Sequence, residues 1–233
     1  MILPENYENV YPCINSCGST AKIYASPNYS TAYKIYRKKF KYNEERFKKI
    51  SSFHHPNCIC PTDTTSIENN PNLYVGYEMA FDDGIALPNI VDENLTNLIQ
   101  ATVELPNTLN EISNHKFLIT DPNPNNITFS NTYKFVDTYS FLWLQNISSN
   151  TIFQRNLSKV NVSILSGLID YSYYQIIENY LLSTNSKYLD IVLNSNKTST
   201  DFLYNILSII QETTQENSLK RAKIKLLSPL YKD

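Results

Sequence analysis

The sequence predicts an α+β fold in which strands dominate the first part of the chain and helices the second. Apolar residues alternate on both sides of the turn signal Ser26-Pro27-Asn28, and this pattern is typical of a β-hairpin. Apolar residues recur at i, i+3 and i+4 over residues 165–180 and 202–210, which is typical of amphipathic helices. The 233 residues suffice for one large domain or two small lobes with a buried core.

The bulk composition is that of an ordinary globular protein. The hydrophobic fraction is 42% and the formal net charge is −2, so no overall charge favours a nucleic-acid partner. The first twelve residues, MILPENYENVYP, lack the basic start and apolar core of a signal peptide. No apolar run approaches the ~20 residues that span a bilayer. We therefore expect a cytoplasmic protein with no membrane span and no nucleic-acid partner.

The cysteines have two interpretations. Their spacing, C-x3-C followed by C-x-C, is not a standard zinc pattern, and a metal site that includes His54 and His55 is the functional alternative. Reduced thiols in apolar surroundings are the simpler interpretation and suit a cytosolic protein. The four cysteines are Cys13, Cys17, Cys58 and Cys60.

The first half of the chain predicts a hairpin, a helix and a further strand. Lys34 lies inside the second apolar strand of the hairpin, where its ammonium group carries a desolvation cost unless it meets an anion. Residues 37–53 are charged, with apolar residues at helical spacing, so they predict an amphipathic helix with a solvated basic face. The polar residues 61–72 predict a loop, and residues 73–79, LYVGYEM, predict a strand.

The second half begins with residues 95–115, which predict two helical pieces broken by Pro106. Residues 117–141 follow and read FLITDPNPNNITFSNTYKFVDTYSF. Two apolar runs here flank a turn rich in Pro and Asn. Asp121 and Asn126 form D-x-x-x-x-N, and Asp137 closes the next apolar run.

This arrangement resembles the catalytic loop and metal-binding turn of the protein kinase-like superfamily, H-R-D-x-x-x-x-N followed by D-F-G. Lys34 stands where kinases carry the V-A-I-K lysine, and His55-Pro56-Asn57 resembles the H-P-N that follows the kinase helix. The resemblance covers residues 10–141. It implies a two-lobed fold, with an N-lobe of a small antiparallel sheet plus one helix at residues 1–80. A hinge at about residues 78–84 would lead into a reduced, mainly helical C-lobe at residues 81–233.

The resemblance also implies ATP and Mg²⁺ (or Mn²⁺) as cofactors. Lys34 would hold the α- and β-phosphates, Asn126 and Asp137 would coordinate the metal, and Asp121 would accept the proton of the attacking hydroxyl. Tyr77 takes the gatekeeper position in the hinge strand. The implied nucleotide-binding residues are Ser16, Gly18, Ser19, Ala21, Ile23, Ala32, Lys34, Glu45, Tyr77, Glu78 and Ala80.

Several positions depart from the kinase pattern. Arg46 stands where counting back from His55-Pro56-Asn57 places the helix acid, so we assign the partner of Lys34 to Glu45. Asn123 replaces the lysine that steadies the transferred phosphate. Thr138-Tyr139 replaces Phe-Gly, which predicts a more fixed metal turn. Ile119-Thr120 replaces His-Arg, and the A-P-E segment is missing.

Two functions from different classes follow. The first is an atypical, minimal phosphotransferase that moves the terminal phosphate of ATP to a protein or small-molecule hydroxyl. The alternative is a pseudokinase, a binding or regulatory scaffold with weak or no catalysis. The C-terminal helices offer a surface for a protein partner in either case.

Overall fold

The computed structural model describes residues 1–15, 20–169, 183 and 197–228. The chain divides into two compact units. Unit 1 comprises Met1–Asp83 and Val136–Ser140, and unit 2 comprises Gly84–Phe135 and Phe141–Asp233. Strands form most of the regular structure of unit 1, and helices form most of that of unit 2. The α+β class is therefore confirmed.

Unit 1 is built on a six-stranded sheet in the order β1-β5-β6-β4-β3-β2. Strand β1 runs parallel to β5, and every other neighbouring pair is antiparallel. A short helix, α1 (Tyr7–Val10), connects the first two strands. The strands are β1 (Ile2–Leu3), β2 (Cys13–Asn15), β3 (Ala21–Ala25), β4 (Thr31–Tyr36), β5 (Pro61–Ile67) and β6 (Gly76–Ala80).

The hairpin predicted around Ser26-Pro27-Asn28 is confirmed, because β3 and β4 pair from Ala21 opposite Tyr36 to Ala25 opposite Ala32. The predicted loop over residues 61–72 is wrong, since residues 61–67 form β5 between β1 and β6. Its sequence, PTDTTSI, is too polar to show an apolar alternation, but its threonines are β-branched and favour a pleated strand.

Helix α2 (Glu44–Ser51) is shorter than the predicted helical segment, because residues 37–43 form a loop. The side chain of Asn43 caps the helix by accepting a hydrogen bond from the backbone N–H of Arg46 at 2.8 Å. Phe47 and Ile50 are buried. Burying each of these side chains contributes about 1.5–3 kcal/mol and fixes the inward face of the helix.

Unit 2 is built on four described helices. The side chains of Asn94, Ser148 and Ser218 cap three of them by accepting hydrogen bonds from backbone N–H groups in the first turn. Helix α3 packs against α4 and α5. The helices are α3 (Leu95–Asn114), α4 (Ser149–Leu168), α5 (Phe202–Thr214) and α6 (Leu219–Leu227).

The predicted break at Pro106 is wrong, because α3 continues through it from Leu95 to Asn114. Proline removes one backbone donor and normally kinks a helix. Here Leu98, Leu105 and Leu109 are buried on both sides of the proline. Their burial outweighs the lost hydrogen bond, so tertiary packing holds the two predicted pieces in one helix.

Two small sheets complete unit 2, one in the order β10-β9-β7 and one formed by β11 and β8. The predicted helix over residues 202–210 is confirmed by α5. The helical pattern after residue 169 lies outside the described residues. Among the described helices, none is both long and apolar enough to cross a membrane. The short strands are β7 (Ile85–Ala86), β8 (Phe117–Leu118), β9 (Ile127–Phe129), β10 (Tyr133–Phe135) and β11 (Leu142–Trp143).

Candidate functional site

Lys34 is the buried cation of unit 1. It lies in β4 between Ile23 of β3 and Tyr77 of β6. Side chains alternate between the two faces of a strand, so Lys34 points away from the face that carries Tyr33 and Ile35. The whole residue is only 8% exposed. A lysine this deep requires an anionic partner to offset its lost hydration.

The partner of Lys34 is Asp137. The ammonium nitrogen lies 2.5 Å from Asp137 Oδ1, and the Asp137 side chain is 23% exposed. The Tyr77 hydroxyl donates a second hydrogen bond to the same oxygen at 3.3 Å. Asp137 has φ 56°, in the left-handed region that Asp tolerates better than most residues. The carboxylate is therefore held by one cation and one neutral donor.

Two tyrosine rings surround the lysine. Lys34 Nζ lies 5.6 Å from the ring centre of Tyr36 and 5.9 Å from that of Tyr77, within cation–π range. Burial raises the pKa of the Tyr77 hydroxyl well above its usual value, and the nearby Asp137 carboxylate raises it further. Tyr77 therefore stays protonated and acts as a hydrogen-bond donor at neutral pH. We call Lys34, Tyr36, Tyr77 and Asp137 the lysine–aspartate cluster.

The turn after Asp137 is anchored at each residue. The Thr138 hydroxyl donates to the carbonyl of Ile59 at 2.9 Å, and Thr138 is buried. The Tyr139 hydroxyl accepts from the Asn43 backbone N–H at 3.1 Å and donates to a neighbouring carbonyl at 3.2 Å. The Ser140 hydroxyl donates to the carbonyl of Asp137 at 2.8 Å. These contacts give the Thr138-Tyr139 turn a defined position within unit 1.

The structure places Glu45 and Arg46 differently from the sequence assignment. Glu45 is exposed on α2, and the carboxylate that contacts Lys34 is that of Asp137. Arg46 is half-buried, and its guanidinium carbon lies 4.9 Å from the ring centre of Tyr139. The assignment of Glu45 assumed that the lysine would find its anion in the helix. A contact across 103 residues of sequence cannot be read from local spacing.

Other predicted nucleotide-binding residues lie in or beside the sheet. Ala21 and Ile23 are in β3, Ala32 is a buried residue of β4, and Glu78 and Ala80 are in β6. The small-residue loop that precedes β3 falls mostly outside the described residues. The predicted residues there are Ser16, Gly18 and Ser19.

Unit 2 holds the second predicted cluster, the turn over residues 121–126. The Asn126 side-chain amide donates to Asp121 Oδ2 at 3.2 Å and to the Asp121 carbonyl at 3.2 Å. Asn123 tightens the turn by accepting a hydrogen bond from the Asn125 backbone N–H at 2.9 Å. Asp121 is exposed and Asn126 is half-buried. The turn therefore brings a reachable carboxylate and an amide together, and we call it the Asp–Asn turn.

Helix α4 supports the Asp–Asn turn from one side. The Ser163 hydroxyl donates to the carbonyl of Pro122. A methyl group built at Gly167 would lie 2.9 Å from Cβ of Pro124 and 2.8 Å from Cβ of Leu87, so only glycine allows this close approach. The sequence did not identify either residue, because neither belongs to a motif.

Asn156 of α4 is a third supporting residue that the sequence did not identify. It is fully buried, and its Oδ1 accepts from the Ile119 backbone N–H at 2.9 Å. Its Nδ2 donates to the Phe117 carbonyl at 3.0 Å and to the Ser113 hydroxyl at 3.1 Å. One side chain thus fixes the segment that leads directly into Asp121. A polar residue in the apolar stripe of a helix was the only available signal.

Replacing Asn156 with Leu will lower the free energy of unfolding by about 2–3 kcal/mol. Leucine has a similar size but leaves the Ile119 N–H and the Phe117 carbonyl buried without partners. Chemical denaturation measures the loss. The matched control is Asn107→Leu at an exposed position of α3, which should change stability by less than about 0.5 kcal/mol. Equal losses in the two variants would contradict a supporting role for Asn156.

The cysteine–histidine alternative gains no support from the described residues. Among them, no group of three or more His, Cys, Asp or Glu side chains is placed to hold a metal ion. Burial raises the pKa of the Cys58 and Cys60 thiols, so both are protonated at neutral pH. Cys17 lies outside the described residues.

No known protein-family profile matches the chain, and no curated protein matches its sequence. Any function assigned to the chain therefore depends on the chemistry of the two clusters. Unit 1 brings together Lys34, Tyr77 and Asp137, while unit 2 brings together Asp121 and Asn126.

Proposed function

We propose that this chain is an atypical, minimal phosphotransferase with a two-lobed protein kinase-like fold. It binds ATP with Mg²⁺ (or Mn²⁺) and transfers the terminal phosphate to a protein or small-molecule hydroxyl. The lysine–aspartate cluster carries this proposal. A buried strand lysine paired with a carboxylate supplies one group for phosphate oxygens and one for a divalent cation.

Asp137 in unit 1 and Asn126 in unit 2 each carry an oxygen that suits a hard cation. The Asp137 side chain uses Oδ1 for both of its hydrogen bonds, and Oδ2 has no partner among the described residues. The amide nitrogen of Asn126 is occupied by Asp121, and its carbonyl oxygen has no partner in the described part of the chain. Carboxylate and carbonyl oxygens are the ligands that Mg²⁺ prefers. The bound metal would neutralise charge that develops on the phosphate oxygens.

The remaining roles follow from charge and exposure. Lys34 would bind phosphate oxygens when the nucleotide replaces its present partner, because both are anions. Asp121 is exposed and would orient the attacking hydroxyl and accept its proton. Asn126 would hold the Asp121 carboxylate in position through the bond seen in the Asp–Asn turn. These roles account for each of the four polar residues that phosphoryl transfer requires.

A pseudokinase is the second candidate. Two observations favour it. Lys34 and Asp137 already neutralise each other at 2.5 Å, and Asn123 provides no cation beside Asp121. A chain with these features could bind a nucleotide or a partner protein without transferring phosphate, because transition-state charge would be less well compensated.

ATP with Mg²⁺ will raise the melting temperature of the protein by several degrees. At a ligand concentration about 100 times the Kd, binding stabilises a protein by about 2.7 kcal/mol. Asp137→Asn should abolish the shift, since it removes the metal-binding charge but keeps a side chain that tolerates positive φ. The control is Asp201→Asn at an exposed position. No shift at millimolar MgATP would rule out the nucleotide site.

Incubation with γ-labelled ATP separates the two candidates. A phosphotransferase will label itself or an added hydroxyl substrate, and Asp121→Ala should reduce the rate by about a hundredfold or more. Equal rates in wild type and Asp121→Ala would exclude Asp121 as the base. Binding of MgATP without any transfer would establish the pseudokinase.

A further inference from the structure

Arg46 is a cation without a carboxylate partner in unit 1. Its backbone N–H is capped by Asn43, and its guanidinium packs on the Tyr139 ring. No Asp or Glu of the described residues pairs with it, whereas the neighbouring helix residue Glu44 pairs with Lys48. Its Nε is enclosed and has no hydrogen-bond partner among the described residues. An enclosed guanidinium donor of this kind is costly unless an acceptor is supplied.

Arg46 is linked to the lysine–aspartate cluster through aromatic rings. Tyr139, which lies under the guanidinium, has its ring centre 5.6 Å from that of Tyr77, and Tyr77 contacts Asp137. Burial raises the pKa of the Tyr36 hydroxyl and Asp137 adds to the increase, while Arg46 opposes it. The Tyr77 ring is thus the single ring between Tyr139, on which Arg46 packs, and the Asp137 carboxylate.

The charges of the lysine–aspartate cluster and Arg46, taken together, do not balance. Lys34 and Arg46 are two cations against the single carboxylate of Asp137, and the hydroxyls of Tyr36 and Tyr77 remain neutral. Glu45, the nearest acid in sequence, is exposed on α2. The excess is one positive charge in a partly buried setting, where an anion gains more than it would in open water.

We propose that Arg46 is a second phosphate-binding cation that acts with Lys34 to hold a phosphoryl group on unit 1. The planar guanidinium presents several N–H donors that match phosphate oxygens. This phosphate site belongs to the proposed function and rests on it only for the identity of the molecule that carries the phosphate. That carrier is either a nucleoside triphosphate or a free polyphosphate.

The Tyr139 ring has a defined part in this site. Its hydroxyl is held by the Asn43 N–H and the Lys41 carbonyl, so the ring is a fixed platform for the guanidinium. A pre-positioned guanidinium loses less rotational freedom when it binds phosphate. Tyr139 is therefore a positioning residue, and Arg46 contacts the ligand.

The test is to titrate the protein with sodium tripolyphosphate and, separately, with MgATP. Thermal unfolding at constant ionic strength measures binding in each titration. Arg46→Gln should weaken the binding of both ligands by about tenfold to a hundredfold, the range expected for loss of a charge-assisted contact. The affinity of Arg46→Lys should lie between those of the wild type and Arg46→Gln, since lysine keeps the charge but loses the planar fork. Arg155→Gln, at an exposed position of α4, is the control and should bind like wild type.

The outcomes separate this site from the proposed function. Wild-type affinity for both ligands in Arg46→Gln would overturn the inference, and so would the absence of any stabilisation of the wild type by either ligand. Tripolyphosphate binding that depends on Arg46, without any effect of MgATP, would support the site and remove the nucleotide. MgATP binding that is unchanged in a folded Arg46→Gln protein would leave the function standing and remove the site.

Discussion

Asp137→Asn will lower the free energy of unfolding by about 3 kcal/mol in the absence of any ligand. The reason is the lysine that the substitution leaves behind. The Lys34 side chain is 11% exposed and its ammonium group lies 2.5 Å from the carboxylate. Removing one member of such a pair leaves an uncompensated charge in the interior, which is more costly than the pair itself is stabilising. Asparagine tolerates the positive φ of this position, so backbone strain adds little.

A double variant tests whether the unpaired Lys34 charge causes this loss of stability. Lys34→Met together with Asp137→Asn removes both charges, and its free energy of unfolding should lie within about 1 kcal/mol of wild type. Urea denaturation of the wild type, the two single variants and the double variant completes the cycle. If the losses of the single variants simply add in the double variant, the ion pair is not the source of the effect.

Gly76→Ala will destabilise unit 1 by about 3 kcal/mol or more. A methyl group at Gly76 would lie 1.9 Å from the carbonyl oxygen of Lys34 and 3.1 Å from Cα of Ile35. Both are backbone atoms of β4, so no side chain can rotate to make room. The variant must separate β4 from β6, and these strands hold Lys34 beside Tyr77.

Gly167→Ala is the comparison for this prediction, with a milder steric overlap in a helix. Its new methyl group would lie 2.8 Å from Cβ of Leu87 and 2.9 Å from Cβ of Pro124, a smaller overlap than the 1.9 Å at Gly76. Alanine also favours the helix by about 1 kcal/mol relative to glycine. We expect Gly167→Ala to be clearly less destabilising than Gly76→Ala in thermal unfolding. The reverse order would show that the strand contact at Gly76 can relax.

The local pattern of the sequence determined several elements of this protein. The hairpin of β3 and β4 followed from apolar alternation around Ser26-Pro27-Asn28, because side chains of a strand alternate between faces. Helix α5 followed from apolar residues at helical spacing. Asp121 and Asn126 are five residues apart in sequence, so a motif could place both residues in one turn. Each of these features depends on residues close together in the chain.

Tertiary structure decided what local spacing could not. Packing on both sides of Pro106 keeps α3 unbroken, and the polar segment at residues 61–67 becomes β5 because β1 and β6 pair with it. The sequence indicated that Lys34 needs an anion, but the fold selected Asp137, 103 residues away, and left Glu45 exposed. It also placed Arg46 against Tyr139 with an unpartnered Nε. The cost of burying a charge is a property of the residue, whereas its partner is set by whichever carboxylate the folded chain brings within reach.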